Sequence, residues 1–194
     1  AYSEQALRQH YGADVTSYPC PTLTDLFDTL ASRKVNYAIL PVENALAGAV
    51  NQAYELLMDS DLRIQAEVIL HVHHAIMAPA GTQLEDVQQV RSHPQALAQC
   101  EKFLRRYNIQ PIPWYDTAGA AKDLASEASD GHTAALASEL AAELYSLDIL
   151  GKQIEDVPFN YTRFFIIGDD DPPRAEFNKT SIVFATRNRP AALY

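Results

Sequence analysis

The stretch that decides the fold is Leu62-Arg63-Ile64-Gln65-Ala66-Glu67-Val68-Ile69-Leu70-His71-Val72-His73-His74-Ala75-Ile76-Met77. It is rich in strand-forming residues and too long for one buried strand, whose usual limit is about ten residues. It reads either as an antiparallel strand or as a strand crossing from one sheet to another. A second extended run, Thr162 to Ile167, reads as the return crossing. Two crossings predict two lobes with a cleft between them.

On either side of this stretch, helical periodicity is clear in four places. Leu23, Leu26, Phe27 and Leu30 follow a Thr22-x-x-Asp25 start that resembles a capping box. Leu97, Cys100, Leu104 and Tyr107 form a second stripe, opened by Ser92 with Pro94 near the first helical position. Ala121, Leu124, Ala125 and Ala128 follow Thr117, and Ala137, Leu140, Ala141 and Leu144 surround Ser138. Shorter helices are expected after Ser3 and through Tyr54 to Met58. Apolar runs precede most of these helices: Tyr37 to Val42, Val87 to Arg91, Ile109 to Tyr115 and His132 to Leu136. Strand, polar corner, helix, repeated, predicts an α/β protein with mostly parallel strands. The acidic Asp169-Asp170-Asp171-Pro172-Pro173 reads as a linker. Lys179 to Ala185 then alternates like a strand, and Arg187 to Pro190 reads as a loop. One strand and a loop do not fold alone, so this end is expected to add to another subunit or to belong to a longer protein.

The 194 residues carry 15 Lys+Arg against 25 Asp+Glu, a net charge of −10, which argues against a nucleic-acid partner and against an anionic membrane surface. Hydrophobic residues at 47% fit a globular chain that buries about 70% of its extended surface. No apolar run reaches the length of about 20 residues that spans a bilayer, and Ala1 to His10 has no export signal. Two cysteines far apart, Cys20 and Cys100, exclude a disulfide framework or zinc knuckle and point to the cytoplasm.

In α/β sheets ligands sit where helix N-termini face a crevice. Here those corners carry Ser3, Asn44, Ser92, Thr117 and Ser138, which read either as donors to a carboxylate or phosphate, or as ordinary N-caps. No glycine-rich nucleotide motif is present. His71, His73 and His74 read as structural or surface residues, because two imidazoles on one strand face lack a third metal ligand. The most unusual segment is Asp156-Val157-Pro158-Phe159-Asn160-Tyr161-Thr162-Arg163-Phe164. A guanidinium among apolar neighbours needs a carboxylate, and Arg163 could find one in the protein or in a ligand.

Several segments, taken in order, resemble the prephenate dehydratase family. They are Ala1-Tyr2-Ser3-Glu4-Gln5-Ala6, Pro41-Val42-Glu43-Asn44 with Gly48, Ser92-His93-Pro94-Gln95-Ala96-Leu97, Asp116-Thr117-Ala118-Gly119-Ala120-Ala121, and Asn160-x-Thr162-Arg163-Phe164. Lys179 to Phe184 and Asn188-x-Pro190-x-Ala192-Leu193-Tyr194 resemble the start of the family's ACT regulatory domain. Ala45 stands where the family usually has Ser or Thr, and Ala191 where the ACT domain usually has Gly. The resemblance implies an α/β, two-lobed, type II periplasmic-binding-protein-like fold over residues 1–176. Lobe 1 would take about 1–70 plus 164–176 and lobe 2 about 71–163, with a ferredoxin-like ACT domain beginning at 177–194. The family's first strand and most of its ACT domain would lie outside the chain.

The implied reaction converts prephenate to phenylpyruvate, water and carbon dioxide without a cofactor or metal. Aromatisation supplies the driving force, so the site needs a donor at the departing hydroxyl, a hold on the pyruvyl carboxylate, and no strong cation at the carboxylate that leaves as gas. The resemblance gives Thr162 the leaving oxygen, with Glu43 or His93 as proton source. Arg163 would fix a carboxylate or brace the cleft, and Ser3, Asn44, Ser92, Thr117, Asn160 and Phe164 would line the substrate. It also implies feedback by L-phenylalanine and a homodimer or tetramer. Arogenate dehydratase and a non-catalytic small-anion-binding module are the rival readings.

Overall fold

The computed structural model describes residues 2–128, 130–172 and 179–182. Two sheets organise it. The first contains β1 (Ala38–Asn44), β2 (Gly48–Ala49), β3 (Arg63–His71) and β9 (Tyr161–Gly168) in the order β2-β1-β9-β3. The second contains β4 (Ala75–Ala78), β5 (Gln89–Ser92), β6 (Gln110–Pro113), β7 (Thr133–Ala137) and β8 (Asp148–Gly151) in the order β6-β5-β7-β4-β8. The stretch 62–77 does cross between lobes: β3 ends at His71 and β4 begins in the other sheet at Ala75.

The return crossing lies earlier than the sequence reading places it. β9 sits wholly in the first sheet, and the chain returns through 152–160. This segment runs beside the outward crossing, with Val72 N–H donating to Asn160 O at 2.7 Å and Ile154 N–H to His74 O at 3.1 Å. Thr162 and Arg163 therefore belong to the first sheet, although the expected boundary stood at 164.

Parallel pairing is also rarer than the alternation predicts. β5 pairs parallel with β6 and β7, whereas every pairing of the first sheet is antiparallel. The reason is local. The polar corner after β1 opens a tight hairpin to β2, with Gly48 at φ +83 where a Cβ is disfavoured. β9 then inserts between β1 and β3 in the opposite direction.

Successive β9 residues face opposite ways. Phe164 and Ile166 pack with Ala6 of helix α1 (Tyr2–Tyr11), Val68 and Leu70. Phe165 and Ile167 pack with Leu40, Val42 and helices α2 (Leu23–Ala31) and α3 (Asn51–Met58), which supply Phe27, Leu30 and Ala53. The predicted capping box is present, with Thr22 Oγ1 accepting from Asp25 N–H and the Asp25 carboxylate accepting from Thr22 N–H, both at 3.1 Å.

The second sheet is also covered on both faces. Helices α4 (Pro94–Gln99) and α5 (Glu101–Arg106) bring Leu97 and Leu104 to one side, and Cys100 between them lies in the same cluster. Helices α6 (Thr117–Ser126) and α7 (Glu139–Tyr145) bring Ala121, Leu124 and Ala142 to the other. The single helix read through 97–107 is interrupted at Cys100, whose φ of −119° leaves the helical region. No helix among the described residues is long and apolar enough to cross a membrane. The expected ACT segment lies outside the described residues, except for 179–182.

Candidate active site

Asn44 and Thr162 are direct partners across β1 and β9, so their side chains share a face. Asn44 Oδ1 accepts the backbone N–H groups of Leu46 and Ala47 at 3.0 and 2.9 Å. Backbone N–H groups can only donate, which fixes the amide's orientation. Its Nδ2 then donates to Thr162 Oγ1 at 2.9 Å and Asn160 Oδ1 at 2.8 Å, with Tyr161 O a longer third acceptor at 3.3 Å. Thr162 Oγ1 is an acceptor here, and none of the described residues takes its hydrogen. A hydroxyl that accepts a hydrogen bond donates a stronger one.

The polar contacts continue into the second lobe. Asn160, 1% exposed, donates through Nδ2 to Gln99 Oε1 at 3.0 Å. The same oxygen lies 2.7 Å from Nε2 of His74, which is 2% exposed, and Tyr2 Oη lies 2.6 Å from His74 Nδ1. Burial pushes the His74 imidazole below its ordinary pKa, which favours its neutral form. Burial also pushes the Tyr2 phenol well above its own range. Glu155 secures the crossing by accepting His74 N–H at 2.9 Å and meeting His73 Nδ1 at 2.6 Å. Burial opposes ionisation of that carboxyl, but the His74 N–H and the His73 imidazole outweigh it and lower the pKa.

Arg163 points to the opposite face. Its Nε and Nη2 donate to Glu67 Oε2 at 3.1 and 2.7 Å, Nη1 lies 3.7 Å from Glu43 Oε2, and the guanidinium sits 5.0 Å from the Phe165 ring centroid. Of the two readings left open, the carboxylate within the protein is the one present. Glu43 is on this same face, across from Arg163 rather than Thr162. Phe164 is 1% exposed and packed in the α1 core.

The remaining corners are mostly engaged in local structure. Ser92 is fully buried and donates to Leu136 O at 2.6 Å, leaving His93 to cap α4 by accepting Gln95 N–H at 3.2 Å. Asp116, not Thr117, caps α6, and Ser138 caps α7. Ser3 lies exposed inside α1. Asn44, Asn160 and Thr162 are therefore brought together, whereas Ser3, Ser92, His93 and Thr117 have no hydrogen bond to that trio. The sequence by itself does not single out Gln99 or Tyr2. Their signal is weak, because each is a single polar group beside an apolar helical face.

The arrangement offers neutral donors at the seam between lobes: the Thr162 hydroxyl and the Gln99 Nε2 hydrogens, which have no partner among the described residues. No group of His, Cys, Asp and Glu suited to a metal occurs among the described residues. A hollow of about 560 Å³ between α1 and the α7–β8 corner is lined by Arg8 but also by Glu139, Glu143 and Asp148. That acidic lining does not suit an anionic substrate.

The family model for prephenate dehydratase matches residues 1–172. A plant protein of Arabidopsis thaliana named arogenate dehydratase/prephenate dehydratase 2 is 40% identical over the whole chain, which covers 51% of it. A solved structure of prephenate dehydratase from Arthrobacter aurescens, titled as a complex with L-Phe, superposes with TM-score 0.82 at 27% identity, covering 99% of this chain and 66% of that one. Another, titled GqqA, a novel type of quorum quenching acylases, gives TM-score 0.80 at 32% identity over 93% of this chain and 64% of that one. The chain spans about half the length of the curated relatives it matches. With a family match covering nearly all of its described residues and a strand-borne threonine held at the seam of two lobes, the chain belongs to the prephenate dehydratase family.

Proposed function

We propose that this chain carries the catalytic part of an enzyme that converts prephenate to phenylpyruvate in phenylalanine biosynthesis. The observation that carries the reading is the Asn44–Thr162 pair, which leaves one polarised hydroxyl hydrogen unclaimed by any described residue at the inter-lobe seam. The electron pair of the bond to the ring carboxylate moves into the ring as carbon dioxide leaves, and the ring C–O bond breaks with its electrons on oxygen. Thr162 donates a hydrogen bond to that oxygen, and a proton drawn from solvent completes the water. Neutral donors suit this chemistry, because a cation at the ring carboxylate would stabilise the ground state more than the transition state. Arg163, turned to Glu67, braces β9 rather than holding substrate.

Arogenate is the second substrate to test, since the name of the 40% identical relative includes both activities. Acyl transfer is less well supported: a threonine nucleophile needs an adjacent base, and among the described residues Thr162 Oγ1 meets only an amide donor. L-phenylalanine feedback through the segment after 177, a homo-oligomeric state and a cytoplasmic location complete the reading. The test is incubation of the purified protein with prephenate, arogenate and an N-acyl substrate in parallel. Phenylpyruvate from prephenate supports the proposal. Phenylalanine from arogenate alone moves it to the second substrate, and hydrolysis of the N-acyl compound alone overturns it.

A further inference from the structure

The hydrogens of the polar row can be assigned one after another. Leu46 and Ala47 N–H fix Asn44, which turns the Asn160 oxygen toward Asn44 and its nitrogen toward Gln99. Gln99 Oε1 therefore faces the Asn160 N–H, and the imidazole nitrogen 2.7 Å from the same oxygen must also donate. His74 thus carries its proton on Nε2, and its bare Nδ1 accepts the Tyr2 hydroxyl at 2.6 Å in preference to the more distant acceptor of that hydroxyl, His73 O at 3.1 Å. Two donors converging on Oε1 hold the Gln99 amide in one orientation, with both Nε2 hydrogens directed away from His74 and Asn160.

We propose that His74, oriented by Tyr2, is a positioning residue: its Nε2–H locks the Gln99 amide and, through Asn160, the Asn44–Thr162 pair. This rests on the reading of Thr162 given above. Without the imidazole N–H, Gln99 retains one partner on that oxygen and its amide is free to turn over. The turned amide would set its NH₂ against the Asn160 NH₂, and the row would lose the arrangement that presents Thr162. His74 is well placed to carry this restraint because it is part of the outward crossing, with its backbone held by Glu155 at 2.9 Å and by Ile154 at 3.1 Å. The Tyr2 ring meets it edge-on at 5.6 Å.

Side-chain geometry supplies a discriminating pair of variants. In His74→Gln the amide nitrogen can occupy the place of Nε2 and keep the donor to Gln99. In His74→Asn the shorter amide reaches only the Tyr2 side. We expect His74→Asn to lower kcat on prephenate on the order of 10- to 100-fold with KM changed far less, and His74→Gln to restore most of the loss. Tyr2→Phe, which frees the imidazole to take either tautomer, should fall between them. Equal losses in the two His74 variants, tracking their loss of folded protein, would make His74 merely structural and overturn the proposal; so would wild-type kcat in His74→Asn. A direct check needs no variant: long-range proton–nitrogen NMR of the folded wild-type protein should show His74 as the Nε2–H tautomer, and an Nδ1–H tautomer contradicts the assignment. An inactive wild-type enzyme combined with an Nε2–H tautomer would remove the function proposed above, and with it the catalytic role of His74, while leaving the hydrogen assignment intact.

Discussion

A threonine hydroxyl is too weak an acid to protonate a leaving group outright, so its value depends on what it accepts while it donates. In Thr162 the acceptor side is filled by Asn44 Nδ2 at 2.9 Å, which leaves its hydrogen without a partner among the described residues and open to the proposed substrate. The arrangement predicts a loss that sequence conservatism would not suggest. Asn44→Asp keeps an oxygen for the Leu46 and Ala47 N–H groups, so the hairpin should stay folded. The introduced carboxylate would, however, accept the Thr162 hydrogen and face the Asn160 oxygen. Turnover of prephenate should fall about 100- to 1000-fold, the usual effect of losing one transition-state donor, with near-native thermal stability. A nearly active Asn44→Asp enzyme would show that the Thr162 hydrogen is not used. Arg163, one residue on, illustrates how much a strand's alternation decides: the register fixes its face, and Glu67 and Glu43 occupy it.

At the scale of elements, β9 ties the first sheet together, and the Arg163–Glu67 pair is one of its links to β3. The pair is half-buried, so its contribution should be modest. Arg163→Met is expected to lower the Tm by about 2 to 4 °C, corresponding to roughly 1 kcal/mol, and to change kcat less than tenfold. A hundredfold rise in KM at unchanged Tm would instead place a substrate carboxylate on Arg163. The start of β7 offers a pH test. Asp130 accepts the Thr133 hydroxyl at 2.6 Å and the His132 and Thr133 N–H groups at 2.8 Å each. The Thr133 hydroxyl contributes most to holding its pKa at about 2, below the ordinary 3.8. Its stabilising effect is therefore present above 3.8 and disappears as pH falls through about 2. Thermal melts of Asp130→Ala and wild type should differ at neutral pH and converge in acid; a constant gap would contradict the linkage.

Much of this element scale was legible in advance. The 62–77 run is too long for one buried strand, which left an antiparallel strand or a crossing between sheets, and the crossing is the one present; the Thr22 box was readable from spacing alone. The return crossing was not legible, because Thr162 to Ile167 has the composition of a strand buried on both faces. Only the backbone bonds of Val72 and Ile154 to the 152–160 segment show where the chain changes lobe. The corners, read as either ligand donors or ordinary N-caps, are divided by their surroundings. Ser138 takes the cap of α7, whereas His93 and Asp116 take the caps beside Ser92 and Thr117.

Across the whole molecule, the two crossings and the row from Tyr2 to Thr162 join the lobes where the proposed chemistry occurs. The row that runs from Asn44 through Asn160 to Gln99 and His74 spans 116 residues between its first two members alone, a separation no local pattern could reveal. The net charge of −10 is compatible with the proposal: a site for the proposed anionic substrate can be built from oriented neutral donors, and the seam provides them. The most direct test of this view is the steady-state rate of phenylpyruvate formation from prephenate by Thr162→Val beside the wild-type protein, normalised to folded enzyme. Removing the hydroxyl while keeping the shape should reduce kcat about 100- to 1000-fold and leave KM within a few-fold, with Thr162→Ser retaining part of the rate. Turnover by Thr162→Val close to that of the wild type would contradict the assignment.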